Sequence, residues 1–156
     1  DILLKWPNDI LVPIEGQWRK ICGILIESKS TGNNNVIVAG VGINIAGKYE
    51  ENFKMPVGFA NDYSDKITYQ NINTVLNAIL ASNFEKIEAL PELTFVKIEK
   101  RLNSELSKTF STFSNSLYRN SSVQFSRVLP DGSIEIINEN DEPLVIDESE
   151  SIDWIC

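Results

Sequence analysis

Histidine is absent from all 156 residues, which excludes a Ser-His-Asp triad, an imidazole base and any histidine-ligated zinc within the chain. Cysteine is almost absent. Cys22 lies in an apolar run and Cys156 ends the chain, so no disulfide framework is expected and a reducing, cytoplasmic compartment is. No apolar run approaches the ~20 residues that span a bilayer, and no secretory signal pattern is visible, so no membrane association is expected. Positive charge is also scarce. With 14 Lys and Arg against 22 Asp and Glu the net charge is −8, which argues against electrostatic binding of nucleic acid or anionic lipid. An initiator methionine is missing as well, and Asp1-Ile2-Leu3-Leu4 is already strand-like, so the chain reads as a fragment of a longer protein. What is present is ordinary for a globular protein, at 42% hydrophobic and 23% charged residues. That length suits one domain plus a small appendage.

The most informative stretch is Lys20-Ile21-Cys22-Gly23-Ile24-Leu25-Ile26-Glu27. An uncharged run bracketed by a cation and a carboxylate, rich in β-branched residues, is predicted to be a strand buried on both faces. Lys20 then stands where an interior strand begins. Its ammonium, a compact charge on a long stem, suits a carboxylate or phosphate, although a snorkelling strand-end lysine would look the same. Gly23 removes a side chain from one face and lets something approach the backbone.

Upstream, Lys5-Trp6-Pro7-Asn8-Asp9 reads as a strand ending in a turn, because Pro7 cannot donate to a ladder and restricts Trp6. Asn8 and Asp9 are ordinary turn formers, or else an amide and a carboxylate aimed into a cleft. Ile10 to Ile14, a turn at Glu15-Gly16-Gln17 and Trp18 to Ser28 form a predicted antiparallel hairpin that places Asp9 near Lys20. After the polar turn Thr31 to Asn35, the strand Val36 to Ile45 alternates so that Gly40, Gly42 and Asn44 share one face and Val41, Ile43 and Ile45 the other. The glycines make a bare strip that fits a planar ligand or a closely packed helix.

Taken together, Lys5-Trp6-Pro7-Asn8-Asp9, Lys20 to Glu27 and Gly40-Val41-Gly42-Ile43-Asn44 resemble, in order and spacing, three successive motifs of the biotin–protein ligases. The resemblance implies an enzyme that activates biotin with ATP and Mg2+ to biotinyl-5′-adenylate and then biotinylates a lysine of a biotin carboxyl carrier domain. Carried over by position, it implies that Lys20 is the essential lysine contacting the biotin carboxylate and the adenylate phosphate. Gly23, Gly40, Gly42 and Ile43 would line the biotin pocket. Asn8, Asp9 and Asn44 would stand at the nucleotide, with Asp9 the candidate magnesium ligand. Cys22 occupies a position where that family often has a small residue, and no redox role attaches to it. A homodimer is compatible with the resemblance. So are two rival readings, a lipoate–protein ligase-like acyl-adenylate enzyme and a non-catalytic module that only binds biotinyl-adenylate. The family also uses a glycine- and arginine-rich loop before its Trp-Pro-Asn-Asp motif. Arg19, Arg101, Arg119 and Arg127 stand in no such loop, so these residues are expected to be only the later part of the enzyme and inactive alone.

The remainder is less specific. Residues 46–70 contain Pro56 and Gly58 and show no clean period, which predicts a long connection. Ile72, Val75, Leu76, Ile79, Leu80, Phe84, Ile87 and Leu90 recur at helical spacing behind Asn71, an expected N-cap, and read as a core-packing stripe. Pro91 should end that helix and open a poorer one, Glu92 to about Leu106. Twelve of the twenty residues from Asn103 to Ser122 are Ser, Thr or Asn, a composition that predicts a linker or irregular strand. Four short strands then follow, Val123 to Val128, Ser133 to Ile137, Leu144 to Ile146 and Ser151 to Ile155, with turns at Pro130-Asp131-Gly132 and Asn138 to Glu142. The acidic residues Asp147, Glu148, Glu150 and Asp153 read as a solvated face. The expected fold is α+β: a partial, class II synthetase-like catalytic domain over residues 1–115, with a mixed β-sheet and packed helices, then an SH3-like barrel over 116–156.

Overall fold

The computed structural model describes residues 1–32, 34–49, 55–88, 95–147 and 152–155. The chain is α+β and divides into two compact units, Asp1–Ile79 and Leu80–Cys156.

In the first unit, strands β1 (Leu3–Lys5), β2 (Asp9–Ile14), β3 (Gln17–Thr31) and β4 (Asn34–Ile43) form a sheet in that order, each pair antiparallel. A parallel element is supplied by the isolated bridge between Lys20 and Val57. Trp6-Pro7-Asn8 makes the first turn, and its Trp6–Pro7 peptide is cis. The next turn is tight. Ile14 faces Gln17, and Glu15 (φ 52°) and Gly16 (φ 78°) both take positive φ, the type I′ geometry whose twist matches the strands. Between Ile10 and Leu11 the register with β3 shifts, because Ile10 faces Cys22 whereas Leu11 faces Lys20. This bulge inserts Ile21 and re-aims its neighbours.

Leu3, Trp6, Leu11, Val12, Ile14, Cys22, Ile45, Phe59 and Ala60 form the core of this unit. The expectation that Lys20 to Glu27 would be buried on both faces fails: only Cys22 is buried, Ile21, Gly23 and Ile24 are half-buried, and beyond Ile24 the strand is open. Leu25 and Ile26 are 60% and 66% exposed, and Val36, Ile37, Val38 and Val41 of β4 are likewise open. β3 and β4 run on past Gly23, where β2 stops pairing, and no described helix packs on the faces of the sheet there. After β4, the short helix α1 (Ala60–Tyr63) breaks the long connection, and α2 (Ile72–Glu88) follows. Asn71 uses its side chain backward, accepting from the Thr68 N–H (2.9 Å) and donating to the Lys66 carbonyl (2.6 Å), while its own carbonyl accepts from Val75. The expected core stripe is only half-buried at Ile72, Val75 and Leu76, and Leu80 is exposed. Leu90 and Pro91 lie outside the described residues, as do Glu148, Glu150 and Cys156.

In the second unit the Ser/Thr/Asn-rich region is divided: through Thr112 it continues the helix expected to end near Leu106, and beyond that it holds turns and short strand segments. α3 runs Phe95–Thr112. Leu106, Thr109, Phe110 and Phe113 recur at helical spacing and are all buried, and their packing overrides weak local propensity. Thr109 and Thr112 return their hydroxyls to the carbonyls four residues earlier, 3.3 and 2.9 Å away. Strands β5 (Leu117–Tyr118), β6 (Ser121–Val128), β7 (Ile134–Asn138) and β8 (Pro143–Ile146) form an antiparallel meander in chain order. β5 falls in the stretch expected to be a linker or irregular strand. The strand expected over Ser151 to Ile155 reduces, among the described residues, to a bridge between Asp153 and Leu117. Phe110 stacks on Phe125 (5.2 Å between centroids), and Trp154 meets both Phe110 (4.8 Å) and Phe113 (5.8 Å). The Asn103 side chain accepts the Val128 N–H at 2.8 Å, tying α3 to the end of β6. Among the described residues no helix is long and apolar enough to cross a membrane.

Candidate functional site

Register alone assembles one row of residues across the first sheet. Lys5 faces Asp9, Asp9 faces Gly23 and Gly23 faces Gly42. Residues directly opposite one another across antiparallel strands project to the same face, so this row carries a cation, an anion and then bare backbone. The next step along β3 and β4 pairs Leu25 with Gly40, two residues on and therefore on the same face. The floor is accordingly Gly23, Gly42 and Gly40. Among the described residues, Cβ atoms built on Gly40 and Gly42 would meet within 4 Å only backbone carbonyls, those of Leu25 at 3.8 Å and Gly23 at 3.9 Å.

Lys20 enters this face through the bulge. A Cβ on Gly23 would lie 3.4 Å from both Lys20 Cε and Nζ and 3.7 Å from Asp9 Oδ1, so lysine and carboxylate meet over the glycine. The Lys20 ammonium stands 2.5 Å from Asp9 Oδ1 as an ion pair. Lys5 Nζ stands 3.5 Å from the other oxygen, Oδ2, and donates to it. The Asp9 side chain is 10% exposed, that of Lys5 14% and that of Lys20 35%. Burial pulls the Lys5 pKa below its usual value, opposed by the Asp9 charge. The Cys22 thiol is pushed up, chiefly by burial and against the pull of Lys20.

The Lys20 backbone is fixed on both sides. Its N–H donates to the Pro56 carbonyl (2.8 Å), and its carbonyl accepts from the Gly58 N–H (2.9 Å) and the Asn44 side-chain amide (3.3 Å). Gly58 permits the approach, because a Cβ there would come within 2.7 Å of Arg19 Cβ and 2.8 Å of Ile14 Cδ1. Arg19 also reaches the Val57 carbonyl (3.3 Å) and lies over the Tyr49 ring, whose hydroxyl donates to Asp62.

The structure therefore brings together Lys20, Asp9, Gly23, Gly40 and Gly42. Asn44 lies just past β4, with its side chain on the Lys20 carbonyl and its backbone joining Ile21 to Ala60. Asn8 is exposed in the turn, and its carbonyl accepts the Ile24 N–H at 2.9 Å. Ile43 pairs with Cys22, one residue out of step with Gly42, so its side chain leaves the opposite face from the glycine strip. Sequence reasoning passed over Lys5 and the Pro56–Gly58 segment. The first has a signal, a charged residue one tight turn before an acid. The second has none, because a bridge from a non-repetitive connection follows no period.

The first 44 residues of the chain match the model of the biotin/lipoate A/B protein ligase family. The matched segment contains every residue of the row and the strip. The whole fold is similar to that of biotin protein ligase from Aquifex aeolicus. Its apo structure aligns over 97% of this chain and 64% of the ligase chain, with a TM-score of 0.67 at 20% identity. A second structure of that ligase gives 0.66 at 21% identity over the same shares. At such identity the likeness speaks for the α+β fold, and the chain spans about 64% of the length of the ligases it matches.

Proposed function

We propose that the chain is part of an ATP-dependent biotin–protein ligase. Residues 1–115 belong to its catalytic portion, and 116–156 form a small SH3-like domain. In this reading the biotin carboxylate attacks the α-phosphorus of ATP, pyrophosphate leaves, and biotinyl-5′-adenylate results. An acceptor lysine on a carrier domain then attacks the acyl carbon and AMP leaves. The observation that carries it is the Lys20 ammonium held over a bare strip of Gly23, Gly42 and Gly40, inside the segment that matches the ligase family. Two anions must meet in the first step, and a cation whose backbone is clamped beside the strip lowers their repulsion. The flat strip accepts a ring system against the sheet while the lysine takes its acid end. Asn8 and Asn44, each bonded to β3 near Lys20, serve the nucleotide. A reducing cytoplasmic compartment suits a free buried thiol at Cys22.

Magnesium fits less well at Asp9. Among the described residues no group of three acidic or sulfur side chains could hold a metal, and each Asp9 oxygen already faces an ammonium. A dication there would have to displace both, so the chemistry drawn above uses Asp9 only as the counter-charge of two lysines.

Thermal shift of the full-length protein with biotin and, separately, with lipoate tests the substrate, since the matching family includes both kinds of ligase. Stabilisation by biotin with pyrophosphate release on adding ATP is expected. Stabilisation by lipoate would replace the substrate, and biotin binding without turnover would leave a binding module.

A further inference from the structure

Lys5, Asp9 and Lys20 place two cations on one carboxylate, a net charge of +1 among the three, beside the strip of glycine backbone. Their exposures differ. Asp9 is nine-tenths buried, Lys5 nearly so, and Lys20 is the open member. An anion arriving on the strip can recruit Lys20 only by taking it from Asp9, and a buried carboxylate left alone is costly. Lys5 occupies β1, two strands away from Gly23, so its charge stays on Asp9 and cannot follow Lys20 onto the strip.

We propose that Lys5 is a positioning residue that keeps Asp9 paired while the Lys20 ammonium turns from Asp9 to an anionic group on the glycine strip. The proposal rests on the biotin reading, which makes that group the biotin carboxylate. The exchange ends with one cation on Asp9 and one on the ligand, two neutral pairs where there had been a trio of charge +1. Without Lys5 the same movement would strand Asp9, and the penalty would appear as lost ligand affinity. The pairing is set by the chain: β1, a three-residue turn and β2 put Lys5 directly opposite Asp9.

The test is calorimetric titration of the full-length protein with biotin. Lys5→Met should weaken binding by roughly tenfold or more, a loss of about 1.4 kcal/mol per decade. Lys5→Arg, which keeps a cation, should retain it. Adding Asp9→Asn to Lys5→Met should restore affinity, because no carboxylate then holds Lys20 back, and a merely structural role for Lys5 would not be rescued this way. A ligand-free arm measures acylation of Lys20 by a limiting amine reagent, read by mass spectrometry. Lys20 should label more slowly in Lys5→Met, where Asp9 holds it alone, and faster in Asp9→Asn. A folded Lys5→Met protein with unchanged biotin affinity and unchanged Lys20 labelling overturns the proposal, as does a loss that Asp9→Asn fails to recover. If the unaltered protein binds no biotin, the substrate reading falls, and the labelling arm still decides the role of Lys5.

Discussion

At the scale of single residues, the site depends on which side chains are half-open. Lys20 is held at its backbone by Pro56, Gly58 and Asn44, while its ammonium reaches the glycine face with a third of the side chain exposed. A fixed backbone with a reachable head can bring a charge to a developing anion. Cys22, one strand position from Gly23, has the opposite character. It is buried, and burial pushes its thiol above the usual range, so little thiolate is present near neutral pH. Alkylation by iodoacetamide at pH 8 is therefore expected to be slow in the folded protein and to approach the rate of a free thiol in denaturant. Fast alkylation in the native state would mean that the β2–β3 face opens readily.

At the scale of elements, two glycines on paired segments should behave in opposite ways. Gly42→Val adds a β-branched side chain where only a backbone carbonyl lies within 4 Å, so the melting temperature should hold or rise. Biotin affinity should nevertheless fall by roughly tenfold or more, since the new methyls occupy the strip. Gly58→Ala should do the reverse at first contact. Its Cβ would meet Arg19 and Ile14 at 2.7 and 2.8 Å, and overpacking of this kind costs about 1–3 kcal/mol in thermal or urea unfolding. The meander of the second unit carries a pH dependence of its own. Asp131, accepting from the Ser133 hydroxyl and N–H, and Glu135, held by Ser126 and Arg127, both have pKa values below their ordinary 3.8 and 4.5. A carboxylate with a depressed folded pKa stabilises above its unfolded value and loses that contribution as pH falls through the folded one. Unfolding followed by the Trp154 signal should show stability decreasing as pH is lowered from about 4.5 downward, with a smaller decrease in Ser133→Ala. Equal acid sensitivity in that variant would remove Asp131 from the account.

At the scale of the whole molecule, much of the arrangement was legible and the failures have physical causes. The hairpin that brings Asp9 to Lys20 could be read because a two-residue turn after a short apolar strand leaves little freedom of register. The glycine strip could be read because period two is unambiguous over Gly40 and Gly42. The exposure of Leu25, Ile26, Ile37 and Val41 could not, since an apolar run says what a strand prefers and not whether anything packs on its faces. The helix expected to end near Leu106 runs on to Thr112, its last turns hidden behind serines and threonines, although Leu106, Phe110 and Phe113 already carried the helical spacing that decided the matter. Lys5 was passed over because its partner lies across a turn whose length had to be known first.

The most direct measurement is formation of biotinyl-5′-adenylate by the full-length protein and by its Lys20→Ala variant, with pyrophosphate release as the readout. The variant should stay folded by circular dichroism, since Lys5 remains beside Asp9, and should lose roughly 10²-fold or more in rate, the scale on which a preorganised charge contributes. Pyrophosphate released at the unaltered rate by a folded Lys20→Ala protein would contradict the assignment of the site.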